Sequence, residues 1–153
     1  MIRLGHLPHS LDEWLLIDPS LGKGERLAFS LHSEEDVTQT AEKVQSFCAS
    51  QGVSRRISFF AALCLEEMAA NVVQHGFSKD RGEHFLDLRV IMQEDKILLQ
   101  MKDDCTPFDP QERAQLAAGA DPFQNIGIRM VYRLAEEVTY QNLLGLNVLT
   151  IRL

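Results

Sequence analysis

The sequence predicts an α+β fold: a two-layer α/β sandwich, with helices on one face of a mixed, mostly antiparallel sheet. Three observations lead there. Segments that alternate apolar and polar residues recur along the chain, and a period of two suits strands with one buried face. Between them lie stretches that keep helical spacing behind clear start signals,. The elements run in the order β-α-α-β-β-α-β-β, and hairpins interleaved with helices favour one helical layer packed on one sheet.

Residues 1–25 read as an N-terminal extension. Gly5, Pro8, Pro19, Gly22 and Gly24 punctuate it around a short apolar piece, Trp14-Leu15-Leu16-Ile17. Such a segment either docks on the domain or a partner, or is a partly ordered tail. Residues 26–153 form the domain, and a chain of 153 residues is long enough for one sizeable core,.

Arg26–Leu31 alternates and suits a strand,. Ser33-Glu34-Glu35-Asp36 supplies a hydroxyl cap and first-turn acids,. Val37, Ala41, Val44 and Cys48 then keep helical spacing until Gly52. Ser54 caps a second helix, expected to run to about Gly76. Phe85–Met92 and Lys96–Asp103 read as paired strands around a turn at Glu94-Asp95,. A Pro/Asp-rich loop (Cys105–Pro110), a short helical piece and Gly119-Ala120-Asp121-Pro122 follow. A third helix is expected from near Ile126, with Ile128, Val131, Ala135 and Val138 on its apolar side. A hairpin, Thr139–Leu144 and Leu146–Leu153, closes the chain.

The composition excludes several classes. A net charge of −7 argues against a protein that grips nucleic acid or anionic membrane. Three cysteines, in no CxxC or Cys/His cluster, argue against a disulfide scaffold or structural zinc and fit a reducing cytoplasm. The run Phe59–Leu65 is far shorter than the roughly 20 residues that span a bilayer,. No basic start followed by an apolar segment marks a secretion signal.

The chemistry concentrates in the second helix. Glu67, Asn71 and His75 stand four residues apart, with Gln74 beside them, so α-helical spacing puts them in one narrow polar seam,. Glu66 points away, so Glu67 is the carboxylate that shares a face with Asn71. The seam either faces water or lines a site. Asp103 shares strand parity with Ile97, Leu99 and Met101, the face expected to pack on the helices. A carboxylate there needs a partner, such as a ligand amino group, unless the strand ends at Lys102. Asn125-Ile126-Gly127-Ile128 opens a helix whose N-terminal amides are either a plain cap or a phosphate contact.

Taken together, these blocks resemble the Bergerat-type ATP-binding fold of histidine kinases, gyrase and the heat-shock chaperone, and most of all the anti-sigma-factor serine/threonine protein kinases. The likeness covers about residues 26–153. Glu67-Met-Ala-Ala-Asn71-Val-Val-Gln-His75-Gly-Phe77 is similar to the family's N-box. Lys102-Asp103-Asp104-Cys105-Thr106-Pro107-Phe108-Asp109-Pro110 resembles its first glycine box, and Ile126-Gly127-Ile128-Arg129-Met130-Val131 its second. Asn147–Leu153 resembles its final strand.

The resemblance implies a set of roles. Asn71 is the Mg²⁺ ligand that bridges to the ATP phosphates. Glu67 is the general base that takes the proton of a partner's serine or threonine. Asp103 accepts a hydrogen bond from the adenine amino group. Gly127 and Ile128 offer phosphate contacts, His75, Cys105 and Phe108 line the pocket, and residues from about Gln111 to Asn125 form a lid. The implied cofactors are ATP and Mg²⁺. The implied partners are an anti-anti-sigma (STAS-like) protein, a sigma factor, or a second copy of the chain as a homodimer. Cys105 stands where the family has glycine, so its side chain is expected to crowd adenine or to demand an unusual backbone angle. Gln124 and Asn125 stand where the second box has its leading glycines. The competing function is an ATPase-fold interaction module that binds regulators without kinase turnover.

Overall fold

The computed structural model describes residues 26–77, 82–93, 95–107, 109–111 and 126–153. Their elements are β1 (Arg26–Leu31), α1 (Glu34–Ser50), α2 (Arg55–Asn71) continued by a π-turn (Val72–Gly76), β2 (Leu86–Gln93), β3 (Lys96–Asp103), α3 (Ile126–Leu134), β4 (Glu137–Leu143) and β5 (Leu146–Arg152). The order expected from the sequence is the order found. The strands form one sheet, β1-β2-β3-β5-β4. Every pairing among the described strands is antiparallel, in keeping with the mostly antiparallel sheet expected.

Local chemistry sets the helix ends. The Ser33 hydroxyl accepts from the Asp36 amide at 3.2 Å, and the Asp36 carboxylate accepts from the His32 amide at 2.9 Å. The first bond satisfies a donor that the first turn leaves open, and the second ties down the residue before the cap. Ser54 Oγ accepts from the Ile57 amide to start α2. Gly52 adopts φ +81° between the two helices, a left-handed angle that glycine takes without steric cost.

The core lies between α1, α2 and α3 and one face of the sheet. Val37, Val44, Leu65 and Met68 from the helices meet Leu88, Val90, Leu99, Met101 and Ile151 from the strands, all almost fully buried. Each such side chain contributes about 1.5–3 kcal/mol over exposure. By length and composition alone, Arg55–Gly76 could cross a membrane, yet its buried residues belong to this core.

Two sequence expectations are corrected. Val138 was assigned to the third helix but lies in β4, opposite Ile151. The helix ends at Leu134, and the Glu136 amide donates to Arg152 O at 2.8 Å, which turns the chain into the sheet. A β-branched valine suits that strand position. The central strands were also expected to bury one face only. Asp87, Arg89, Gln100 and Lys102 on the other face are buried as well. Asp87 stands directly opposite Lys102, and Arg89 opposite Gln100. Ser30 Oγ donates to Asp87 Oδ1 at 2.7 Å. Opposite charges in register are the favourable cross-strand arrangement.

Candidate nucleotide site

Helix α2 and its π-turn form one wall of two adjoining cavities. The first is lined by Met68, Asn71, Val72, His75 and Gly76 from that wall, by Met101, Asp103, Cys105, Thr106 and Pro110 around the end of β3, and by Tyr140, Asn147 and Leu149 from the last hairpin. The second is more polar and is lined by Glu66, Glu67, Ala70, Asn71 and Gln74 facing Gly127 and Ile128 at the start of α3. Asn71 borders both, so it stands at the junction.

The polar seam read from the sequence is therefore real but split. Glu67 and Gln74 face the second cavity and His75 the first. The seam spans roughly 100° of the helix, wide enough for its two edges to open on different cavities. The helix then ends in a wider π-turn, closed by the Phe77 amide donating to Val72 O at 3.1 Å. Such turns recur at functional sites.

Asn71 is oriented by its own helix. Its Nδ2 donates to Glu67 O at 2.8 Å, which directs the amide's donor end into the helix and leaves Oδ1 as the outward acceptor. Across the cavity, Gly127 approaches Glu67 so closely that a Cβ at position 127 would lie 2.5 Å from Glu67 Cδ and would overlap the carboxylate. A larger residue there would push the Glu67 side chain aside. Behind the seam, burial first, and then the nearby Glu67 carboxylate, push the Cys64 thiol up to about 12.

Asp103 ends β3 on the core-facing side, as strand parity predicted, and is 7 % exposed. Its Oδ1 accepts from the Cys105 amide at 3.0 Å and from Asn147 Nδ2 at 2.9 Å. Burial raises its pKa from the ordinary carboxylate value, and these hydrogen bonds partly offset the rise. Asn147 is fixed in turn: Nδ2 also donates to Cys105 O at 2.9 Å, while Tyr140 Oη and Asn142 Nδ2 donate to its Oδ1 at 2.6 and 2.9 Å. Sequence reasoning missed Asn147 and Tyr140. The signal for Asn147 was there: like Asp103, it is a polar residue in the core-facing column of its strand, with Leu149 and Ile151,.

Cys105 is buried at the pocket rim. Its replacement of glycine does not demand a left-handed backbone, because Leu144 is the one non-glycine residue with positive φ among those described. The thiol instead packs on Gly76, where a Cβ would lie 2.8 Å from Sγ. Ile128 is buried beneath the start of α3 rather than displayed to a ligand, although it borders the second cavity. Phe108, Gln124, Asn125 and most of the expected lid lie outside the described residues.

Comparison with known proteins points the same way. Residues 31–153 match the family model described as histidine kinase-like ATPase domain. Among solved structures, the chain is similar to one in the SiaB-SiaC complex from Pseudomonas aeruginosa, with TM-score 0.66, 14% identity, and 92% of this chain and 95% of that one covered. It is also similar to the histidine kinase domain of the blue-light activated histidine kinase from Erythrobacter litoralis EL346, with TM-score 0.53, 16% identity, and 78% of this chain and 59% of that one covered. No curated relative matches at a significant level.

Proposed function

The chain belongs to the histidine kinase-like ATPase domain family, and from that premise we propose that it binds ATP with Mg²⁺ and transfers a phosphoryl group to a serine or threonine of a regulatory protein partner. The observation that carries this reading is the second cavity, where Glu67 and Asn71 share one wall and Gly127 leaves the carboxylate room.

The residues present fit the group. Asn71 Oδ1 is an outward-facing neutral oxygen, a donor that suits a hard cation holding several waters and phosphate oxygens. Asp103 presents a carboxylate to an otherwise largely apolar cavity, which suits the amino group of a purine. When bound, Mg²⁺ supplies neutralisation of the phosphate charge. The remaining work falls to side chains. Asn71 orients the phosphates, and the Glu67 carboxylate, one helical turn away, takes the proton of the attacking hydroxyl. Helix α3 begins beside it, so its first amides face the anionic end of the ligand. An anti-anti-sigma-like protein is the partner class this reading favours, with a sigma factor as a sequestered target and a reducing cytoplasm as the setting. The three cysteines are all free thiols in agreement with that setting.

The test is phosphoryl transfer from labelled ATP, with Mg²⁺, to candidate STAS-like proteins. Transfer is expected from the wild type and not from Glu67→Gln. Transfer at the full rate by Glu67→Gln overturns the assignment. A second reading, an interaction module without turnover, draws on the Cys105 side chain at the pocket rim. Calorimetric ATP titration separates the two: nucleotide binding by Cys105→Gly but not by the wild type favours the module.

A further inference from the structure

The fold builds a cluster that the sequence conceals. No two of its cysteines and histidines form a recognisable metal motif, but the β2–β3 ladder continues past its last pair, Leu86 opposite Asp103. That register brings His84 and Phe85 beside Asp104 and Cys105. His84 Nδ1 lies 3.2 Å from Asp104 Oδ1, and the Phe85 amide donates to the same oxygen at 3.0 Å. The His84 ring is braced by stacking on Phe77, with centroids 6.2 Å apart. One donor atom each from His84, Asp104 and Cys105 lies within 4.8 Å of the other two.

From this convergence we propose that His84, Asp104 and Cys105 form a site for a borderline-soft divalent metal of the zinc class, distinct from any Mg²⁺ held with nucleotide. The donor chemistry selects the metal. Imidazole, thiolate and carboxylate are zinc's ligand types, whereas Mg²⁺ takes oxygens. The geometry agrees. Ligand atoms about 2.0–2.2 Å from a tetrahedral ion stand roughly 3.4 Å apart, close to the His84–Asp104 separation. The Cys105 thiol, which hydrogen-bonds Asp103, has to turn from that carboxylate to complete the set. Binding replaces the thiol proton: one S–H bond breaks, one sulfur–metal bond forms, the proton goes to solvent, and no oxidation state changes. Three protein ligands leave a fourth position for water. Because the Cys105 amide donates to Asp103, an ion here holds the rim of the adenine-side cavity.

The test is a cobalt(II) titration of the untagged full chain without nucleotide, followed by optical absorption. The expected result is one equivalent bound, with a thiolate-to-cobalt charge-transfer band and intense tetrahedral ligand-field bands that zinc then bleaches. Cys48 and Cys64 are sealed in the core at 0 % exposure, so the band reports Cys105. Cys105→Ser should abolish it. His84→Gln, at a less buried position, should weaken binding by at least about the tenfold that loss of a mere outer partner costs, while His32→Ala, at an exposed position before α1, should leave it unchanged. Absence of the band in the wild type overturns the proposal. So does a band that survives unchanged in either Cys105→Ser or His84→Gln, with circular dichroism showing that each variant is folded.

Discussion

Asn147 Nδ2 donates to Asp103 Oδ1 at 2.9 Å, joining the end of β3 to the start of β5. The two residues face each other in the ladder. This bond fixes the direction of the carboxylate, to which the Cys105 thiol also hydrogen-bonds. Asn147→Ala should therefore weaken ATP binding, because Asp103 loses its brace and Tyr140 loses its acceptor. A lost hydrogen bond to a charged group costs about 1.5–3 kcal/mol, or roughly 10- to 100-fold in affinity. Isothermal titration checks this, and affinity within twofold of wild type would contradict the role.

Asp103 also sets a pH dependence. Burial raises its folded pKa above the ordinary 3.8. The folded state then holds the proton to higher pH than the unfolded state does. The stability associated with the protonated form is full below 3.8 and is lost as pH rises through the folded pKa,. Asp103→Asn removes that loss. Its stability relative to wild type should improve as pH rises through that window, as urea unfolding at several pH values would show. ATP affinity should fall at the same time, since the amide offers a donor where adenine presents one.

Glu67 and Gly127 should fail together. Glu67→Gln keeps the shape of the seam but not its basicity, and phosphoryl transfer should drop about 10²- to 10⁴-fold with little change in ATP affinity. Gly127→Ala puts a methyl group where the Glu67 carboxylate sits. Turnover should fall at least tenfold with little loss of stability, because the displaced carboxylate ends a flexible side chain on an open cavity. Steady-state kinetics and thermal unfolding measure the two effects separately.

Leu144 carries strain away from the site. It adopts φ 55° in the two-residue turn of the last hairpin, with Gly145 at φ 80°, and is 91 % exposed. Two positive φ angles define the hairpin turn that favours Asn-Gly. Leu144→Asn should stabilise the protein by about 1 kcal/mol, on the scale of the left-handed penalty. A midpoint shift in urea unfolding checks it.

Much of this was legible in the sequence because the signals were local. Ser33, Ser54 and Gly52 marked helix ends, and alternation in Phe85–Met92 and Lys96–Asp103 put Asp103 on the core side. Spacing singled out Glu67, yet Glu66, expected to point away, borders the same cavity. The rest was decided by pairing between distant segments. Val138 has helical phase with Val131, but the ladder with β5 claims it. Asn147 became visible as a site residue once register placed it against Asp103. The π-turn after Asn71 was not foreseen, because a change of winding within one helix leaves no mark in a pattern read at a constant 100° per residue,.

That π-turn makes α2 behave like a vernier. Its first part is indexed to Glu67 and the second cavity, and its last part to Gly76, Cys105 and the first cavity. One added residue of winding offsets the two scales. Shortening the turn by a single residue would leave each half well formed and yet rotate one of them by about a quarter turn or more, so the two ends of one ligand would no longer find matching marks.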